Sequence, residues 1–92
     1  MTMPEVSETK QQIRDFVLNL AEQKGITTVA DDDNLTQNGV VDSLAIFRVI
    51  MFLEDTFAIR IPDEEILTEN FESVDGIERF VTAKLAAKSS RR

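Results

Sequence analysis

The apolar run from Ala45 to Phe57 limits the fold more than any other part of the chain. At about 100° per residue, Ile46, Val49, Ile50, Leu53 and Phe57 share one wide sector of a helix, the natural core face. Leu44, Phe47 and Met51 gather in a second sector with Arg48, Glu54 and Asp55 around them, and Phe52 falls on the boundary. This helix should begin at Asp42 or Ser43. In a domain too small to surround a central helix, its second apolar side reads as a contact surface for partners.

Two other segments supply helical neighbours. Ile13, Phe16, Val17 and Leu20 recur at i, i+3, i+4 and i+7, which predicts a helix over 8–24, capped by Ser7 or Thr9 and stopped by Gly25. Pro4 and Glu5 read as an extended lead-in. Near the other end, Ser73 caps a helix whose Val74, Ile77, Phe80, Val81 and Leu85 hold the same period, with Gly76 a weak point in its first turn. Between these, Ala58-Ile59-Arg60-Ile61 alternates too briefly for a sheet. Pro62-Asp63-Glu64-Glu65 then has the form of a helix start, with proline presetting the entrance dihedral and three acids suiting the positive end of the dipole. That helix is expected to be short and to bury Ile66 and Leu67.

From Ile26 to Val41 no helical period holds, and Asp31, Asp32, Asp33, Asn34, Asn38 and Gly39 are turn and cap residues. Ile26, Val29, Leu35, Val40 and Val41 are expected to pin this long loop to the helices, making it ordered. A calcium loop is the sharper reading of its acids. With Gly39 at the sixth position, Asn34, Thr36 and Asn38 would be early ligands, but Ala45 would stand where a bidentate glutamate is required. The loop is therefore read as caps and solvated turn, with no metal.

The 92 residues contain no cysteine and no histidine. Disulfides, thiolate or imidazole metal ligands and histidine-activated nucleophiles are thereby removed, which argues against a conventional enzyme. The net charge of −7 repels nucleic acid phosphates and anionic lipid heads, so partners should carry basic patches. No apolar run approaches the roughly 20 residues of a membrane span, and no secretory leader is visible. The expectation is a soluble, cytoplasmic, monomeric protein: one domain over 1–87 and a disordered tail, 88–92.

Asp42-Ser43-Leu44 at the head of one helix, Leu53-Glu54-Asp55-Thr56-Phe57 at its end, Ile59-Arg60-Ile61-Pro62-Asp63-Glu64-Glu65, and Ser73-Val74-Asp75-Gly76-Ile77 form an ordered series. The series resembles the acyl carrier proteins and their aminoacyl and peptidyl carrier relatives, over roughly residues 8 to 86. The resemblance implies an all-α, four-helix bundle of acyl-carrier type, with a short third helix and a long ordered loop between helices 1 and 2. It also implies a 4′-phosphopantetheine arm, taken from coenzyme A, on Ser43, with acyl or aminoacyl groups carried on the arm's thiol as thioesters. The chain would be a non-catalytic shuttle. Its partners would be a phosphopantetheinyl transferase, a loading ligase and downstream transferases or synthases. Asp42 would help the transferase find the serine, and Leu44, Phe47, Arg48 and Met51 would form a docking strip.

A serine in the first turn of a helix lies beside unpaired N–H groups and the positive dipole end, which favours a phosphodiester. Gly39 stands four residues before Ser43, and Ala45, Phe47 and Arg48 occupy places often polar or acidic in fatty acid carriers. The Gly-x-x-Asp-Ser-Leu form and Glu69-Asn70-Phe71 are more similar to discrete carriers of specialised pathways. The competing reading is a small acidic helical adaptor that binds a partner through the same helix face, with Ser43 only an N-cap.

Overall fold

The computed structural model describes residues 5–90, and among these the regular elements are all helical. They are α1 (Glu5–Gln23), α2 (Ala45–Phe57), two 3₁₀ turns (Asp63–Glu65 and Thr68–Phe71) and α3 (Val74–Ser90).

Helix α1 is already formed at Glu5, so Ser7 and Thr9 lie inside it and do not cap it. Pro4 lies outside the described residues. The other end follows the expected glycine chemistry. Ile26 N–H donates to Ala21 O (2.9 Å) and Gly25 N–H to Glu22 O (3.1 Å), with Gly25 at φ +79. This paired 6→1 and 5→2 closure satisfies the last carbonyls and turns the chain out of the helix.

Helices α1 and α2 run antiparallel: Lys24, just after α1, pairs with Asp42, just before α2, and Phe16 stacks on Phe52 with centroids 4.3 Å apart. Phe52, which lies on the boundary in sequence, therefore turns inward. Phe57 meets it edge-on at 6.3 Å. Helix α3 crosses both, with Lys10 bridging to Asp75 in its first turn and Lys88 near its end donating to the carbonyl of Ala58. The core joins Ile13, Val17 and Leu20 of α1, Val49, Ile50 and Leu53 of α2, and Val74, Ile77 and Val81 of α3. Phe71, Ile59 and Ile61 complete it from the connecting segment.

The stretch from Lys24 to Leu44 contains no helix, and three of its side chains, Leu35, Val40 and Val41, are buried. Backbone bonds fasten it to the start of α3: Leu35 N–H to Glu72 O (2.7 Å) and Asp75 N–H to Asp31 O (3.0 Å). Arg14 grips Asp31 bidentately, Nε to Oδ1 at 2.9 Å and Nη2 to Oδ2 at 2.7 Å. Asn34 and Asn38 spend their side-chain oxygens on nearby N–H groups, those of Thr36, Gln37 and Val40. These are Asx turns, the bland use of such residues.

The short third helix, and with it the four-helix count, is replaced by the pair of 3₁₀ turns. Extended backbone at Leu67 (φ −107, ψ 139) separates the two. Three consecutive carboxylates follow Pro62, and Asn70 Nδ2 donates to the Glu65 carbonyl (2.9 Å), so a side chain takes an acceptor that a continuing helix would use. Ile66 is half-buried, and Leu67 is 46% exposed where the sequence reading expects it in the core. Ser73 caps α3 as its sequence predicts, its Oγ accepting from Gly76 N–H at 2.9 Å. Helix α3 continues through Ser90, so the expected tail is helical over its first residues. Arg91 and Arg92 lie outside the described residues.

Candidate functional site

Ser43 stands exposed in the turn that leads into α2. The residue before it performs the capping. Asp42 Oδ1 accepts from Leu44 N–H (3.1 Å) and Ala45 N–H (2.8 Å), and the Asp42 carbonyl accepts from Ile46 N–H (3.1 Å). By hydrogen bonding Asp42 is the N-cap, although regular helix begins at Ala45. Ser43 makes no hydrogen bond to another described residue, through either its hydroxyl or its N–H. The reading of Ser43 as merely an N-cap is thereby corrected, because a carboxylate one residue earlier already accepts from the Leu44 and Ala45 N–H groups. The same fact revises the expected N–H environment: those of Leu44 and Ala45 are taken, and that of Ser43 remains.

The second oxygen of Asp42 is held from just beyond the end of α1. Lys24 Nζ lies 2.5 Å from Oδ2. The Lys24 ammonium, and after it the Ala45 N–H, holds the Asp42 carboxyl down at about 2, well below the usual carboxylate range. Asp42 is charged at neutral pH, and the turn carrying Ser43 is anchored to the end of α1. Nothing in the local sequence announces Lys24, because the pair is separated by 18 residues.

Beyond Ser43, positions 44, 47, 48 and 51 follow the i, i+3, i+4, i+7 spacing of one helix face. Leu44 is 77% exposed, Phe47 56% and Met51 64%, the largest exposures of large apolar side chains among the described residues. Arg48 is exposed with them, its Nη1 donating to Gln23 Oε1 at 3.3 Å. The structure thus places Asp42, Ser43, Leu44, Phe47, Arg48 and Met51 on one accessible edge of the molecule. Ser43 has no side-chain base or general acid bonded to it. Among the described residues no group of three or more carboxylates could hold a metal ion.

An exposed serine without a base, set at a helix start beside an apolar strip, is suited to being modified and then recognised by other proteins. A family model described as a phosphopantetheine attachment site matches residues 14–81, from within α1 to within α3. With that match covering most of the chain and an all-helical fold around it, the chain belongs to the phosphopantetheine attachment site family and is a phosphopantetheine carrier.

Proposed function

We propose that Ser43 is the residue that bears the 4′-phosphopantetheine arm, and that the chain carries acyl or aminoacyl groups between enzymes of a specialised biosynthetic pathway in the cytoplasm. The observation that carries this reading is the division between Asp42 and Ser43: the aspartate caps α2, and the serine hydroxyl is left exposed without a hydrogen bond. The residues fit a phosphodiester. Its charge would sit at the positive end of α2, with Lys24 and Arg48 nearby in a chain otherwise strongly acidic.

Once attached, the arm supplies a thiol on which the cargo rides as a thioester. The attachment itself replaces the Ser43 O–H bond with an ester bond to phosphorus. The proton must leave to a base on the phosphopantetheinyl transferase, because this chain offers none at the site. The group comes from coenzyme A, and the nucleotide bisphosphate departs. Leu44, Phe47, Arg48 and Met51 receive the transferase, the loading ligase and the downstream acceptors, with apolar anchors giving affinity and Arg48 register. Asp42 holds the turn in a fixed shape, while its charge helps to attract a basic transferase surface.

Incubation with coenzyme A, Mg²⁺ and a broad-specificity transferase, read by intact mass, tests the assignment. Wild type should gain one phosphopantetheine group, and Ser43→Ala should gain none while keeping its helical circular dichroism. A folded Ser43→Ala protein that still acquires the arm would place the attachment elsewhere.

A further inference from the structure

The charge of the chain is unevenly spread. All 17 acidic residues precede Arg79, and five of the 10 cations, Arg79, Lys84, Lys88, Arg91 and Arg92, follow Glu78. Lys84 and Lys88 stand one turn apart on α3 and meet Arg60 across a cavity of about 430 Å³, whose remaining walls are Ala58, Ile59 and Ala87. The two lysines are held in place: Lys84 Nζ lies 2.7 Å from Glu65 Oε1, and Lys88 Nζ donates to the Ala58 carbonyl. An ammonium has several N–H donors, so these bonds leave donors to spare on both. Arg60 is exposed, and its side chain makes no hydrogen bond or ion pair with another described residue.

We propose that this cavity is a docking site for an acidic segment of a partner protein, one that sets an apolar side chain between carboxylates. The inference goes beyond the carrier role and does not depend on Ser43 bearing the arm. The chemistry of the walls selects the occupant. Arg60 offers a planar fork that a carboxylate matches bidentately, and Lys84 and Lys88 add charge at positions already fixed by their own bonds. Ala58, Ile59 and Ala87 give a shallow apolar floor between the charges, matched to one apolar side chain. A lipid surface fits less well. The exposed large apolar side chains among the described residues, Leu44, Phe47, Met51 and Leu67, all lie away from this cavity, and the acids elsewhere on the chain repel anionic headgroups. Nucleic acid is repelled in the same way. The 13 residues of α2 put the cavity roughly 20 Å from the turn that carries Ser43. A partner held there by its acidic segment leaves the serine and the strip of Leu44, Phe47 and Met51 open to a second enzyme.

The test titrates the full chain into a dye-labelled peptide of glutamates with a single central leucine, read by fluorescence anisotropy and by amide chemical shifts. The peptide should bind more weakly as salt is added, and the shifts should centre on Ala58, Ile59, Arg60, Lys84 and Ala87. Arg60→Glu should weaken binding about tenfold with far-UV circular dichroism unchanged, and Arg60→Gln, which removes the charge without reversing it, about threefold. Arg79→Glu makes the same change of charge on the opposite side of α3 from Lys88 and should weaken binding no more than about twofold. Equal losses in Arg60→Glu and Arg79→Glu would reduce the contact to attraction by overall charge and overturn the site, as would shifts at residues 44–51 in place of those named, or no binding at all. Phosphatidylglycerol vesicles that sediment the chain while the peptide stays free would give the patch to a membrane. Shifts at the same residues that grow with chain concentration alone would give it to a second copy of the chain. Each of these results would overturn the acidic partner.

Discussion

Truncating Leu53 and Phe47 to alanine should separate core from surface on the same helix. Leu53 is fully buried, with 0% exposure, at the centre of the contact between α2 and its neighbours. Its replacement removes three carbons at about 0.8 kcal/mol each, and the unfilled cavity raises the loss to about 3–4 kcal/mol. Phe47 is 56% exposed. Less than half of a side chain that can bury about 200 Å² is covered, so at ~25 cal/mol/Å² its truncation costs at most ~2 kcal/mol. An extended reference chain overstates that figure, and the better helix propensity of alanine returns ~0.5 kcal/mol, leaving about 1 kcal/mol or less. In a domain of this size each kcal/mol moves the midpoint by about 4–8 °C, so Leu53→Ala should melt at least ~12 °C lower and Phe47→Ala at most ~8 °C lower. Thermal unfolding followed by far-UV circular dichroism reads both. The transferase should invert the order, with Phe47→Ala slowing modification about tenfold, equivalent to ~1.4 kcal/mol of contact energy, and folded Leu53→Ala modified at nearly the wild-type rate. A Phe47→Ala protein that melts as low as Leu53→Ala would make Phe47 a core residue and refute the docking strip.

Asp31 and Asp42 both have folded values lowered from the ordinary 3.8, Asp31 by its hydrogen bonds from Arg14 and Asp42, to about 2, by Lys24. A lowered carboxyl contributes stability that is present above its unfolded value and lost as pH falls through its folded one. Urea midpoints should therefore drop as pH falls from 3.8 towards about 2, and Asp42→Asn, which keeps a capping oxygen but not the charge, should show a shallower drop. An identical slope in the variant would mean that the Lys24 pair does not persist in solution. Ala58 ends α2 in the left-handed region at φ 56, so Ala58→Gly should raise stability by ~0.5–1 kcal/mol. Gly25→Ala, at φ +79 with open space around its Cβ, should lower stability by about 1 kcal/mol through backbone strain alone. Chemical denaturation of the two variants checks both signs.

The apolar periods made α1, α2 and α3 legible, because each helix buries the face that its spacing predicts: Ile13, Val17 and Leu20; Val49, Ile50 and Leu53; Val74, Ile77 and Val81. Gly25 and Ser73 were legible as punctuation, since their roles depend only on residues within one turn. Pro62 was misleading. A proline followed by acids marks the start of either an α-helix or a 3₁₀ turn, and the choice lies with Asn70 and with Lys84, which pairs with Glu65 from α3 at 2.7 Å. The exposed strip could be read from the second apolar sector of α2. The antiparallel pairing of α1 and α2 could not, because the contacts that fix it, Lys24 with Asp42 and Phe16 with Phe52, join residues distant in sequence.

The division of labour at the head of α2 has an energetic consequence. A helix start needs acceptors for its first N–H groups, and a serine that supplied them would lose that role when its oxygen became an ester. Here one oxygen of Asp42 accepts from both the Leu44 and the Ala45 N–H while Lys24 anchors the other, so neither the hydroxyl of Ser43 nor its loss enters the folding balance. Ser43→Ala should consequently match wild type within ~0.5 kcal/mol, the range of surface changes that touch no cap or core. Asp42→Ala, in contrast, should be clearly less stable and should fray the first turn of α2, seen as faster amide exchange at Leu44 and Ala45. If Ser43→Ala instead lost as much stability as Asp42→Ala, the serine would be part of the cap, and modification would have to work against the fold that presents it.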